Sequence, residues 1–242
     1  MEVTMSKNNQ IPIIRFNDFN EDWERSKLGD LGQTFTGLSG KTKEDFGHGQ
    51  GRFVTYMNVF SNPITNLEQL QPIEIDNSQH LVQSGDVFFT TSSETPQEVG
   101  MSSVWLGKET NVYLNSFCFG FRPVTKFDDY FLAYVLRSAS FRKKMTFLAQ
   151  GISRYNISKN KVMEIMVSSP SFPEQTQIGN NFKELDALIK WQEQKLEKTK
   201  KLRKVMLEKM FPKQNAGVPE IRFKGFTEKW KRKLVGEYYF FK

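Results

Sequence analysis

Residues 174–210 run without a proline, with charged and apolar side chains interleaved at helical spacing and only Gly179 to weaken a helix. Ile178, Phe182, Leu185, Ile189, Leu196, Met206 and Met210 fall on alternating steps of four and three, with Gln192, Thr199 and Arg203 continuing the series less well. At 1.5 Å per residue this predicts a helix roughly 55 Å long. A domain built from the rest of the chain is too small to enclose such a rod, so the helix must project and find a partner helix. Its Lys-rich outer face (Lys195, Lys198, Lys200, Lys201, Lys204) reads either as a solvated surface or as a contact for DNA phosphates or an acidic protein face. Pro212 ends the helix, and residues 213–217 form a short linker.

Beyond the linker the chain repeats its own beginning. Residues 11–25 and 218–232 align at one offset, matching Pro12 with Pro219, Arg15 with Arg222, Phe16 with Phe223, Phe19 with Phe226 and Trp23 with Trp230. The register continues to Gly29 and Gly236. The period is far too long for a solenoid and is the spacing of whole domains. The expected organisation is one complete repeat and the opening of a second.

Between these features the pattern changes. Residues 53–57, 73–75, 86–90, 103–106 and 117–121 are short β-type runs punctuated by Gly and Pro. Residues 128–149 read as one helix with Phe131, Val135, Leu136, Phe141, Met145 and Leu148 inward, and residues 162–167 as a further strand. With 38% hydrophobic content and 22 Phe, the chain can bury a true core. The implied fold class is α+β: one mixed α/β domain, then a long projecting coiled-coil helix. The single cysteine, Cys118, sits in an apolar run and reads as a buried, inert thiol suited to a reducing cytoplasm. There is no apolar signal region at residues 1–10, which are expected to form a flexible leader, and no stretch approaches a membrane span.

The net charge of +7 is unevenly distributed. Residues 1–172 carry 17 Lys and Arg against 18 Asp and Glu, whereas residues 173–242 carry 17 against 9. Bulk charge therefore says little about the globular part, and local clustering must carry any nucleic-acid argument. One cluster exists. No acidic residue occurs between Asp129 and Glu164, a span that holds Arg137, Arg142, Lys143, Lys144, Arg154, Lys159 and Lys161.

Enzymatic motifs are weak. Residues 40–42 end like a phosphate-binding loop, but Phe35 stands where that loop needs glycine. Residues 46–51 have glycine at alternate positions without a clear preceding strand, which suits a flexible loop as well as a dinucleotide fingerprint. Two histidines and one cysteine supply neither a zinc cage nor a nucleophile–base pair. Residues 62–65 lack the second proline and the aromatic that an amino-group DNA methyltransferase uses to hold a flipped base.

Two polar loops remain. Residues 90–96 carry five hydroxyls, which can bond phosphates and base edges or simply cap their own loop. Residues 151–156 group Arg154, able to grip guanine, Asn156, able to grip adenine, and Tyr155, able to stack. The candidate DNA-contacting residues are Thr91, Ser92, Ser93, Thr95, Arg142, Lys143, Lys144, Arg154, Tyr155, Asn156 and Lys159, joined by Lys41, Lys43 and Arg52 around the first glycine-rich loop.

Three stretches resemble the specificity subunit of type I restriction-modification systems: the Pro-Glu-Ile-Arg-Phe opening at residues 219–223 with Trp230, residues 85–96, and residues 151–158 with the entry at 173–178 into the long helix. The likeness spans nearly the whole chain. The resemblance implies target-recognition domains that each read half of a split DNA site, each followed by a long helix, the two helices packing antiparallel as a spacer that also docks methylation subunits. This chain is thus expected to be a half subunit, with a target-recognition domain at 11–172, a spacer helix at 173–211, and a linker with the truncated second repeat at 212–242. Two copies joined antiparallel through their helices would rebuild the full arrangement with twofold symmetry and a palindromic site. The implied partners are double-stranded DNA, the methylation subunit, the restriction subunit and a second half subunit. S-adenosylmethionine and ATP would sit on the methylation and restriction subunits, none in this chain, which would be non-catalytic and cytoplasmic. Two other readings stand beside this one: a diverged stand-alone DNA methyltransferase, and a coiled-coil adaptor without a DNA role, which the near-neutral globular part favours.

Overall fold

The computed structural model describes residues 3–4, 12, 14–214, 216–231, 233–234 and 236. Most of the expected leader and the end of the second repeat, Arg232 included, lie outside them. Along the chain come β1 (Val3–Thr4), β2 (Arg15–Phe16), β3 (Glu24–Lys27), β4 (Gly32–Thr36), β5 (Phe46–Val54), α1 (Tyr56–Ser61) and β6 (Gln71–Ile73). Next are β7 (Val87–Thr90), β8 (Ser92–Ser93), β9 (Ser102–Val104), β10 (Val112–Leu114) and β11 (Cys118–Pro123). The described part closes with α2 (Asp129–Val135), α3 (Ala139–Leu148), β12 (Tyr155–Asn156), α4 (Lys159–Met163), β13 (Met166–Ser169) and α5 (Phe172–Lys209). Two compact units divide the chain, residues 1–184 and 185–242.

The first unit is organised by a four-stranded antiparallel sheet in the order β4-β11-β7-β9. Its two central strands are apolar at nearly every position because both faces are covered. Strand alternation sends Val87, Phe89, Phe119 and Phe121 to one face, where they meet Leu132, Leu136, Phe141 and Met145 of the helical layer. Phe35, Phe88 and Cys118 go to the other, against Val54, Trp105 and Leu114. The second face lies under a three-stranded sheet, β10-β5-β6, in which β10 runs parallel to β5 and β6 antiparallel. Each fully buried Phe in this sandwich contributes about 1.5–3 kcal/mol. Cys118 is free and buried, and that burial pushes its thiol pKa up, away from reactivity.

Several elements differ from the sequence reading. The β-type run at 53–57 divides: β5 stops at Val54, and Thr55 caps α1 by accepting the Asn58 amide. The glycine-rich residues 46–51 are the first part of β5, with a register shift between Phe46 and Gly51. The helix expected over 128–149 is two helices, because Ser138 caps α3 through the Phe141 amide. Residues 162–163 belong to α4, and β13 begins only at Met166.

The entry into α5 is held from three sides. Glu174, 1% exposed, accepts the Arg15 Nε and Nη2 at 2.7 Å each and the Trp23 Nε1 at 3.4 Å. Gln175 donates to the Pro170 carbonyl at 2.9 Å and accepts the Asp128 amide at 3.2 Å. Gly179 lets Asp128, the cap of α2, approach so closely that a Cβ there would lie 2.0 Å from the Asp128 Oδ1. β3 pairs with β13 just before this entry, and the Phe182 ring stacks on Tyr134 at 4.3 Å. Breaking a buried pair such as Arg15–Glu174 costs about 3–5 kcal/mol. No helix among the described residues is long and apolar enough to cross a membrane.

In the second unit, α5 continues to Lys209 with Leu185, Leu188, Ile189, Trp191, Leu196, Leu202, Val205 and Leu207 all exposed. The Ile221 amide donates to the Lys209 carbonyl, and Trp230 packs edge-on against Phe211 at 6.1 Å.

Candidate nucleic-acid interface

The two polar loops singled out in the sequence are one structure. β8 pairs antiparallel with β12, so Ser93 faces Tyr155 and Ser92 faces Asn156. The Ile157 amide donates to the Thr91 carbonyl at 2.9 Å, and Asn156 and Gln150 exchange both backbone hydrogen bonds. These bonds fix the base of the 151–154 loop. Its tight turn depends on Gly151, whose φ is +145° and whose Cβ, if present, would meet the Arg154 carbonyl at 2.0 Å. The turn leaves Ile152 96% exposed at its tip, with Arg154 exposed beside it.

A cleft of about 710 Å³ opens between these loops and α1, lined by Tyr56, Met57, Phe60, Ser92, Ser93, Glu94, Glu98, Ser153 and Arg154. Tyr56 and Phe60 stack at 5.9 Å, and the Tyr56 hydroxyl donates to the Ser92 carbonyl at 2.6 Å. Burial raises the Tyr56 pKa, so its phenol stays a donor. Glu98 accepts the Thr95 hydroxyl at 2.7 Å and the Ser93 hydroxyl at 3.3 Å. The cleft thus offers an exposed guanidinium, carboxylates and an aromatic wall. Sequence pattern alone does not single out Tyr56, Met57, Phe60, Glu94, Glu98 or Ile152. For α1 the signal was present, since Thr55 followed by polar Asn58 is a capping pattern.

The remaining candidates divide by how they are engaged. The Thr91 hydroxyl donates to the Phe117 carbonyl. Arg142 is turned inward, donating to the carbonyls of Gln97, Val99 and Gly100 at 2.6–2.8 Å, and burial lowers its pKa. Arg137 of the same acid-free span likewise holds the carbonyls of Val59, Phe60, Asn62 and Ser102, with its pKa pushed down to about 10 by burial. Lys144 donates to the Met166 carbonyl at 2.6 Å. Lys143 is exposed and, with Lys144, Lys161, Arg25 and the 89% exposed Phe147, lines a second groove of about 850 Å³. Lys159 is half-buried in the first turn of α4. Lys41 is paired with Asp76 at 2.8 Å and Asp45 at 3.7 Å, while Lys43 and Arg52 are exposed. None of these three lines the cleft. Of the series on α5, Ile178 and Phe182 face the first unit, Leu185, Ile189 and Leu196 are exposed, and Met206 and Met210 are half-buried.

This fold is shared with solved proteins. A type I restriction-modification S subunit from M. genitalium matches with a TM-score of 0.52 and 16% identity over 84% of this chain and 47% of that one. A chain from a structure of type I restriction-modification complex assembly and conformational transition gives 0.52 and 18%, over 76% and 44%. Among curated proteins, one from Methanocaldococcus jannaschii, described as the specificity subunit of type I restriction enzyme MjaX, is 24% identical over 200 residues, 80% of this chain and 46% of its own length. The chain spans about half the length of these relatives. Residues 20–201, from the segment before β3 through most of α5, match the family described as the type I restriction modification DNA specificity domain, and the chain belongs to that family.

Proposed function

We propose that this chain is a non-catalytic half subunit that reads one half of a split DNA site and pairs with a second copy through α5, while a methylation subunit supplies the chemistry. The observation that carries the reading of DNA is the β8–β12 ladder, which joins two polar loops around a cleft with the exposed Arg154 at its rim. Arg154 can donate two hydrogen bonds to guanine O6 and N7, and Glu94 on the same cleft can accept from the cytosine amino group. Carboxylates repel phosphates, so the cleft suits base edges better than backbone. Exposed Lys143, Lys43 and Arg52 are suited to phosphates, with Lys159 and Lys144 as further contacts. Ile152, 96% exposed at the tip of the turn that starts at Gly151, is suited to a thymine methyl or to wedging between bases.

α5 supports two contacts. Leu185, Ile189 and Leu196 form one apolar series, suited to an antiparallel second copy. Trp191, Leu202 and Val205 lie about 120–180° away at 100° per residue, on the far side of the helix, with Lys195 and Lys198 between them and a groove of about 370 Å³ beside Trp191 and Leu202. This second face suits the methylation subunit. One helical seam would not require both.

The test begins by selecting bound duplexes from a random pool to define the cognate site. Arg154→Ala should then weaken the cognate duplex by about 1–3 kcal/mol and leave random DNA nearly unchanged, whereas Lys143→Ala should weaken both alike. Equal losses for Arg154→Ala on cognate and random DNA would remove it from base reading.

A further inference from the structure

The second copy of the opening motif keeps the internal bonding of the first. In the first copy the Phe19 amide donates to the Phe16 carbonyl at 3.3 Å and Arg15 Nη2 donates to the Glu21 carbonyl at 2.6 Å. In the second, the Phe226 amide donates to the Phe223 carbonyl at 3.4 Å and Arg222 Nη1 donates to the Glu228 carbonyl at 2.5 Å. The same turn has therefore formed twice, at matching positions. Its surroundings differ. Phe16, Phe19 and Trp23 are half-buried and Arg15 is locked onto Glu174, but Phe223 and Phe226 are 71% and 66% exposed, and among the described residues no carboxylate pairs with Arg222. The second copy is a shaped key without its lock.

A matching lock exists in the first unit: the buried Glu174 carboxylate, flanked by Ile178 and Phe182 and by a cavity of about 420 Å³. Glu174 lies in the first turn of α5, whereas the second copy of the motif follows its last turn, where the Ile221 amide donates to the Lys209 carbonyl. A second copy lying antiparallel along α5 brings the start of its helix to this end.

We infer that residues 218–230 seat on the Glu174 socket of a second copy of this chain, in exchange with that copy's own residues 12–23. The inference rests on the antiparallel pairing proposed above. Arg222 takes the place of Arg15 on the carboxylate, Phe223 and Phe226 take the places of Phe16 and Phe19, and Trp230 leaves Phe211 to take that of Trp23. Two equivalent keys competing for each socket make the N-terminal segment exchangeable without exposing the buried carboxylate, whose lone burial would be costly.

The experiment places a photoreactive benzophenone side chain at position 223 of the full chain, mixes it with an affinity-tagged copy, and maps the cross-links by mass. The expected product joins position 223 of one chain to residues 174–182 of the other. It should rise several-fold when the acceptor carries Arg15→Ala, or the milder Arg15→Lys should the first variant fold poorly, and disappear with Arg222→Ala on the donor. Sedimentation of the same mixture separates the two ideas: a dimer with cross-links only inside the second unit overturns the exchange and leaves the pairing intact. A monomer without cross-links overturns both.

Discussion

The residues that matter most are those whose neighbours decide between holding the fold and meeting DNA. Arg137, Arg142 and Arg154 lie in one acid-free span, and sequence cannot tell them apart because charge density says nothing of which way a guanidinium faces. The first two bind seven backbone carbonyls between them and, of the three, only Arg154 is exposed. Arg142→Ala should therefore destabilise the protein by about 1–3 kcal/mol, by leaving loop carbonyls without donors, while the pattern of bases preferred in binding selections stays as it was. A loss of sequence preference without a drop in unfolding midpoint would assign it to DNA. Asp76 provides a pH test. The Lys41 ammonium, then the Ser78 hydroxyl and amide, hold its carboxyl well below the usual carboxylate range. A lowered folded pKa stabilises the protein above the unfolded value, about pH 4, and that contribution fades as pH falls towards the folded value. Denaturant midpoints should fall less between pH 6 and pH 3 for Asp76→Asn than for the natural chain.

At the scale of elements, legibility followed periodicity. The β-type runs at 86–90 and 117–121 form the strands at 87–90 and 118–123, because a mostly apolar run marks a sheet covered on both faces, and Val87, Phe88 and Phe89 alternate between the two cores. The long helix was readable because its spacing persists for many turns. Short helices were not. α1 carries the β-favouring Tyr56 and Val59, and its identity rests on the Thr55 cap and on burial of Asn58, which donates to the Asn66 carbonyl. The break between α2 and α3 was legible in principle at Ser138. The cleft was half legible: both loops were identified, but their pairing through β8 and β12 is a contact between residues some sixty positions apart, which local pattern cannot supply. On α5 the two apolar series make separate predictions. Leu196→Asp should reduce the sedimenting mass to that of one chain, whereas Trp191→Ala should leave that mass unchanged and lower retention of the methylation subunit roughly tenfold, a size consistent with truncating an interfacial aromatic anchor. Equal effects of both on mass would merge the two faces into one.

As a whole, the molecule carries a mixed α/β domain followed by a helix whose Leu185, Leu188, Ile189, Trp191, Leu196 and Leu202 are exposed. Residues 1–172 are near neutral by count, and with Arg137 and Arg142 turned inward and Lys41 paired, the proposed DNA contact rests on the exposed Arg154, Lys143, Lys43 and Arg52 and not on bulk charge. Symmetry is the proposal's consequence with the widest reach: two identical copies, if joined antiparallel, would read the same half-site twice, in inverted orientation. The most direct test is to combine the chain with a methylation subunit and labelled methyl donor on random-sequence DNA, then sequence the sites that acquire methyl groups. A palindromic site split by a fixed spacer is the predicted result; an asymmetric methylated site, or a stable complex that methylates nothing, would contradict it.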